Sequence, residues 1–348
     1  MNQCLSDKIK VISFFSIILV LYIHSGFHQL PHEIEGMKFN YYLQESISGV
    51  VGRCAVPIFF AISGYLFFLN VDSTRDVYRK MKKRVSTLLI PYLIAALFLP
   101  LFYFAIDYFP VASQFVNSNN FNENFSAGWL RILYRLYVDA GKGTPLGFHL
   151  WFLRDLIEIV ILSPLIHIFR RRLKSWLILS LLFLLTYLFC NTFFISLFWF
   201  VAGSLFLNKI KLSGGGSLML VVGVYFFLGA TELMKPSVVW SYFRLPITVL
   251  GVVAFWNVYD SFVKQTFALC NHKLMSIACS YTFFIYLYHE PVINILRKIL
   301  VIPFGHSSFS FAFSYLISPW IFSLVAILIG ITLRKFSPSL YNILCGGR

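Results

Sequence analysis

Residues 53–65 read Arg-Cys-Ala-Val-Pro-Ile-Phe-Phe-Ala-Ile-Ser-Gly-Tyr. An almost uninterrupted apolar run carries one fixed positive charge, Arg53, followed by Pro57, an aromatic pair and Ser63-Gly64. A run of this kind is a membrane-crossing helix, and an ionisable side chain within it costs several kcal/mol unless it is partnered or used. The surrounding chain agrees. Its 348 residues are 58% hydrophobic and 19% aromatic, with only 12% charged, and the mean hydropathy is +0.76. That much apolar surface needs lipid as its solvent. The expected fold class is an all-α polytopic membrane protein.

Ten apolar segments are expected to span, at about 9–27, 48–69, 86–108, 148–168, 175–190, 192–207, 216–233, 239–258, 274–296 and 311–333. With the N-terminus inside, the cytoplasmic segments collect 19 of the Lys and Arg residues and the outer segments 7. The positive-inside rule then puts both termini in the cytoplasm, and it accounts for the net charge of +15. No solvated basic domain exists to bind nucleic acid. The first apolar run lacks a clear small-residue cleavage site and reads as a retained helix. No polar stretch exceeds about 40 residues, too short for a separate domain, so 1–348 reads as one membrane domain. Within it, 109–147 is a long outer loop, a connector or a binding surface, with a short amphipathic helix around Trp129–Val138. The six cysteines show no metal-ligand spacing and, on the cytoplasmic side or within helices, no structural disulfide is expected.

This topology brings His24, Arg53, His149 and His289 from four helices to similar depth near the outer face. Singly, each His reads as a packing or interfacial residue, and Arg53 as a tie to a carboxylate such as Asp155 or Glu158. Arg154 and Glu158 are spaced i, i+4 and can pair with each other. Together the four suit direct group transfer to a hydroxyl. Neutral imidazole takes the proton, and guanidinium steadies an oxyanion or holds a phosphate. No metal is expected.

The stretch Arg53-x-x-x-Pro57-x-Phe59-Phe60-x-x-Ser63-Gly64-Tyr65 resembles the signature of acyltransferase family 3, the bacterial membrane O-acyltransferases. Val20-Leu21-Tyr22-Ile23-His24 resembles the end of that family's first helix. His149-Leu150-Trp151-Phe152-Leu153 and Tyr286-Leu287-Tyr288-His289 resemble its later motifs. Ser13 departs from the pattern: the family often has Arg there, and Lys10 lies one helical turn earlier.

The resemblance implies a bacterial inner-membrane enzyme with acetyl-CoA, or another acyl-CoA, as co-substrate and no permanently bound cofactor. The acceptor would be a hydroxyl of a cell-surface glycan or its lipid-linked precursor. It implies His24 as general base and Arg53 as oxyanion or phosphate ligand. His149, Trp151, Ser63, Tyr65, Tyr286 and His289 would contact substrate. The basic side chains Arg79, Lys82, Lys83, Arg84, Arg170 and Arg171 would hold CoA phosphates, against a simpler reading as topological charge. Competing readings are a flippase for a lipid-linked sugar, a non-catalytic subunit of a glycan assembly machine, and a glycan polymerase using Arg131 and Arg135.

Overall fold

The computed structural model describes residues 3–27, 37–107, 128–141, 143–212, 215–234, 238–263 and 273–347. These form a helical bundle, and no strand occurs among them. The first helix, α1 (Gln3–Ser25), is the axis of the bundle. Its side chains are buried on several faces, with Ile17 and Leu21 fully enclosed. Around it lie α2 (Lys38–Phe68), α3 (Thr74–Ile106), α4 (Trp129–Tyr137), α5 (Trp151–Ile161) and α6 (Ser163–Arg172). Then follow α7 (Ser175–Phe189), α8 (Thr192–Phe206), α9 (Gly215–Met234) and α10 (Val238–Val258). The chain ends with α11 (Lys273–Ser280), α12 (Thr282–Tyr288), α13 (Val292–Val301), α14 (Ser308–Phe336) and α15 (Pro338–Cys345).

Among the described residues five helices are long and apolar enough to cross a membrane: 38–68, 74–106, 215–234, 242–261 and 308–336. Leu184, Leu188, Leu220, Phe227, Leu324 and Leu328 are each more than half exposed. Surface of that kind on several helices belongs in lipid. Two expected spans are built differently from simple rods. The segment 274–296 is three short helices, interrupted at Tyr281 and again at His289–Pro291. Proline lacks the donor and clashes with the preceding turn, so α12 ends there. The segment 148–168 opens as a 3-10 turn, Phe148–Leu150, and divides at Leu162, where Pro164 starts the next helix. The greater part of loop 109–147 lies outside the described residues, and α4 occupies the place expected for its amphipathic helix.

The closely spaced pair α7 and α8 is separated by one tight reversal. Cys190 adopts the left-handed region, φ 46°, and the Asn191 side chain accepts from the Phe193 N–H at 2.9 Å, capping α8.

The Ser63-Gly64 part of the opening stretch has a packing role. α2 and α8 cross backbone to backbone: a Cβ on Gly64 would lie 1.8 Å from the Phe200 carbonyl oxygen, and one on Gly203 2.0 Å from that of Ala61. Small residues let membrane helices approach this closely, where dispersion contacts hold them. At the opposite end of α1 from His24, the buried Lys8 ammonium meets Asp260 at 2.6 Å and lies 4.1 Å from the centre of the Trp256 ring. This ties α1 to the π-helical segment Tyr259–Val263 that continues α10.

Candidate active site

Three of the four expected residues converge. His24, at the last turn of α1, His289, just past α12, and His149, in the 3-10 turn before α5, stand in a row. The ring centres are 5.0 Å apart from His24 to His289 and 4.9 Å from His289 to His149. His149 and His289 are fully buried, and the His24 side chain is 17% exposed. The broken backbone holds them. Tyr286 Oη–H donates to the His149 carbonyl at 2.9 Å, and the His149 Nε2 lies 3.3 Å from the Leu287 carbonyl oxygen. His289 Nδ1 lies 2.7 Å from the Tyr286 carbonyl oxygen. A continuous helix would have kept these carbonyls for itself.

The residue that sequence reasoning passed over is Glu290. Its Oε1 sits 3.4 Å from His24 Nδ1, and its Oε2 accepts from Asn294 Nδ2 at 2.6 Å. The signal was present: a carboxylate next to a histidine within an apolar segment is a functional marker by default.

Arg53 makes its polar contacts with Gly49 and Glu232. Its Nε–H donates to the Gly49 carbonyl at 2.8 Å, and an Nη1 hydrogen bonds Glu232 at 2.5 Å. Glu232, buried on α9, is shared with Arg244 of α10 at 2.9 Å. The tie expected to Asp155 or Glu158 therefore goes to Glu232, because Asp155 is already taken. Arg154 donates to it at 2.6 Å and Ser196 at 3.0 Å, while Glu158 lies 3.8 Å from Arg154. Removing one partner of a buried pair strands the other charge. Glu232→Met alone is expected to cost about 3–5 kcal/mol, and Arg53→Met/Glu232→Met together much less. Thermal melts of the detergent-extracted protein check this. A double variant as unstable as the single one would show that the pair is not the tie.

Below the histidine row a cavity of about 370 Å³ extends toward the N-terminal end of α1. Lys10 and Arg84 stand at its far end. Ile62, Leu66, Leu88 and Leu156 form its apolar walls, with Ser13, Ser63 and Thr282 supplying hydroxyls. Phe152 and Tyr286 line its side nearest the histidines, their rings 5.5 Å apart, and the Tyr286 ring is 6.1 Å from that of His289. Ser13 and Lys10 both face this space. Trp151 is half-buried with its ring 6.2 Å from that of Phe60, and Tyr65 packs half-buried at the edge of the core.

The remaining basic residues divide. Arg84 lines the cavity, and Lys82 and Lys83 are exposed. Arg79 pairs with Asp76 at 2.8 Å. Arg170 and Arg171 both bond backbone carbonyls. Arg170 donates to the Ser204 carbonyl at 3.0 Å and lies 4.2 Å from the centre of the Phe68 ring, and Arg171 donates to the Asp72 carbonyl at 3.1 Å.

A histidine beside a carboxylate, with a largely apolar cavity close by in a bundle of membrane-length helices, has the groups that acid–base chemistry needs. A family model described as an acyltransferase domain matches residues 7–333. The chain belongs to that acyltransferase family. It is also similar to the succinoglycan biosynthesis protein ExoH of Rhizobium meliloti (strain 1021), at 23% identity over 370 residues, spanning 100% of this chain and 94% of that protein. No solved structure is a significant match.

Proposed function

We propose that the protein is a membrane O-acyltransferase that moves an acyl group, acetyl in the simplest case, from cytoplasmic acyl-CoA to a hydroxyl of a cell-surface glycan or its lipid-linked precursor. The observation that carries this reading is the His24–Glu290 pair at 3.4 Å standing over the cavity that begins at Lys10 and Arg84. The family membership supports acyl transfer, and the relative's part in succinoglycan biosynthesis supports a polysaccharide acceptor. Ten crossings with both termini in the cytoplasm of a bacterial inner membrane complete the proposal.

In this mechanism the acyl-pantetheine arm lies in the cavity with its phosphates at Lys10 and Arg84. Ser13 and His24 are eleven residues apart on one helix, about 17 Å along its axis, so the arm spans the inner part of the bundle. Tyr286 and Phe152 must yield for the thioester to meet His24. The acceptor hydroxyl loses its proton to His24, whose imidazolium is steadied by Glu290. The hydroxyl oxygen bonds to the acyl carbon, the carbon–sulfur bond breaks, and the departing thiolate takes the proton from His24. Arg53 acts from a distance, holding α2 against α9 and α10 by way of Glu232, and the lipid around the bundle is a structural partner.

The decisive experiment is mass spectrometry of envelope glycans from cells with the wild-type protein, with His24→Ala and with none. An alkali-labile acyl increment seen only with wild type is expected. Three identical profiles with well-expressed protein, together with no acyl-CoA binding by the purified protein, would sink the reading. A flippase would move lipid-linked sugar without acyl-CoA, and an assembly subunit would tolerate His24→Ala. Lys10→Glu is expected to raise the KM for acyl-CoA severalfold with kcat nearly unchanged, because it acts at the mouth alone. An unaltered KM would remove Lys10 from the donor site.

A further inference from the structure

His289 is a buried imidazole with a nitrogen that the transfer does not use. Its Nδ1 lies 2.7 Å from the Tyr286 carbonyl oxygen, so Nδ1 carries the proton and donates. Nε2 is then a bare lone pair, fully buried and without a hydrogen-bond partner among the described residues. Such an atom is costly to enclose unless an ordered water or a bound ion meets it. Two more lone-pair donors converge on the same space: one ligating atom each from His24, His289 and Glu290 lie within 4.8 Å of one another. Of these, His24 Nδ1 and Glu290 Oε1 are 3.4 Å apart. Two ligands at ~2.0–2.2 Å on a tetrahedral zinc stand about that far from each other. The outer contacts also suit a metal. The Tyr286 carbonyl fixes the His289 tautomer, and Asn294 occupies Glu290 Oε2, leaving Oε1 to turn inward.

We propose that His24, His289 and Glu290 form a binding site for a divalent transition metal of the zinc class, and that its occupation arrests acyl transfer. Two imidazoles and one carboxylate are a borderline-soft donor set, matched to zinc, cobalt and copper rather than to magnesium or calcium. The partly exposed His24 edge is the way in. Phe148, 5.2 Å from the His24 ring, and His149 close the other sides. The Arg297 guanidinium, 4.9 Å from the Phe27 ring centre and on the same short helix as Asn294, adds positive charge nearby. That charge weakens the hold on a dication. Once Nδ1 of His24 binds a dication, its other nitrogen is a much weaker base, and Glu290 is no longer available to steady the imidazolium. The arrest rests on the acyltransferase reading above, whereas the metal site does not.

The test uses untagged full-length protein in lipid nanodiscs, titrated with Co²⁺ and followed by visible ligand-field absorption and by metal analysis after dialysis. One Co²⁺ per chain with a four-coordinate spectrum is expected. Binding disappears in His289→Asn, weakens in the isosteric Glu290→Gln, and is unchanged in His306→Asn, an exposed histidine elsewhere. No stoichiometric binding by the wild type, or binding that survives both site variants, would overturn the site. In the parallel arm, Zn²⁺ suppresses transfer and a chelator restores it. Full transfer with zinc bound would overturn the arrest while leaving the site. A protein that binds Co²⁺ yet never transfers an acyl group would instead count against the proposed function.

Discussion

His24→Ala is expected to lower acyl transfer by about 10²- to 10⁴-fold, the range that a positioned general base contributes, while the protein remains folded in the membrane. The side chain is partly exposed at the end of α1 and leaves no large void when shortened. Glu290→Gln refines the same expectation. The amide keeps the shape and can still meet Asn294, but it cannot steady an imidazolium, so kcat falls while the KM for acyl-CoA stays close to wild type. If Glu290 served only the fold, its replacement would lower folded yield and leave the kcat of the surviving protein intact. Kinetics on the purified variants, alongside their melting temperatures, separate the two outcomes. Wild-type rates in His24→Ala would end the base assignment.

The second large effect concerns the fold. Gly64→Ala places a methyl carbon 1.8 Å from the Phe200 carbonyl oxygen, and that obstacle is backbone, not a side chain able to swing aside. The helices must separate along their whole contact, so the cost lies at or above the upper end of the ~1–3 kcal/mol typical of overpacking. Gly203→Ala is expected to behave alike, since its methyl meets the Ala61 carbonyl. The two changes disturb one crossing and should be far from additive: once α2 and α8 have parted, the second substitution adds little. Yield of monodisperse protein and thermal melts of the single and double variants provide the check. Additive losses would mean that the two glycines do not share a contact.

These cases mark what the sequence could and could not tell. Helices were legible because apolar runs of spanning length admit few other structures in lipid. The reversal between α7 and α8 was legible from a lone Asn191 between two apolar stretches. The triad of histidines was legible as a coincidence of depth, since charge counting orients each helix. Arg53 was expected at that depth too, yet its partner Glu232 lies 179 residues along the chain, and nothing local announces which carboxylate a guanidinium will find. Gly64 was visible as part of a motif, but its meaning depended on Gly203, equally remote. The interruption at Tyr281 was hidden because no Gly or Pro stands near it to mark a break. Hydropathy measures solvent preference and is blind to where a helix gives its carbonyls to someone else.

The aromatic end of the cavity has one more consequence. A passage running unbroken from one face of the bilayer to the other would conduct protons and small ions, draining the gradient that powers the cell. The rings of Phe152 and Tyr286 line the hydroxyl-bearing space, and Tyr286 also stands beside the imidazoles, which is where an electrical seal would be needed. Whatever opens it for chemistry must do so with the passage already plugged by substrate. Trimming both rings to alanine is expected to open such a passage, and a fall in the membrane voltage of cells carrying the variant is the sign of it.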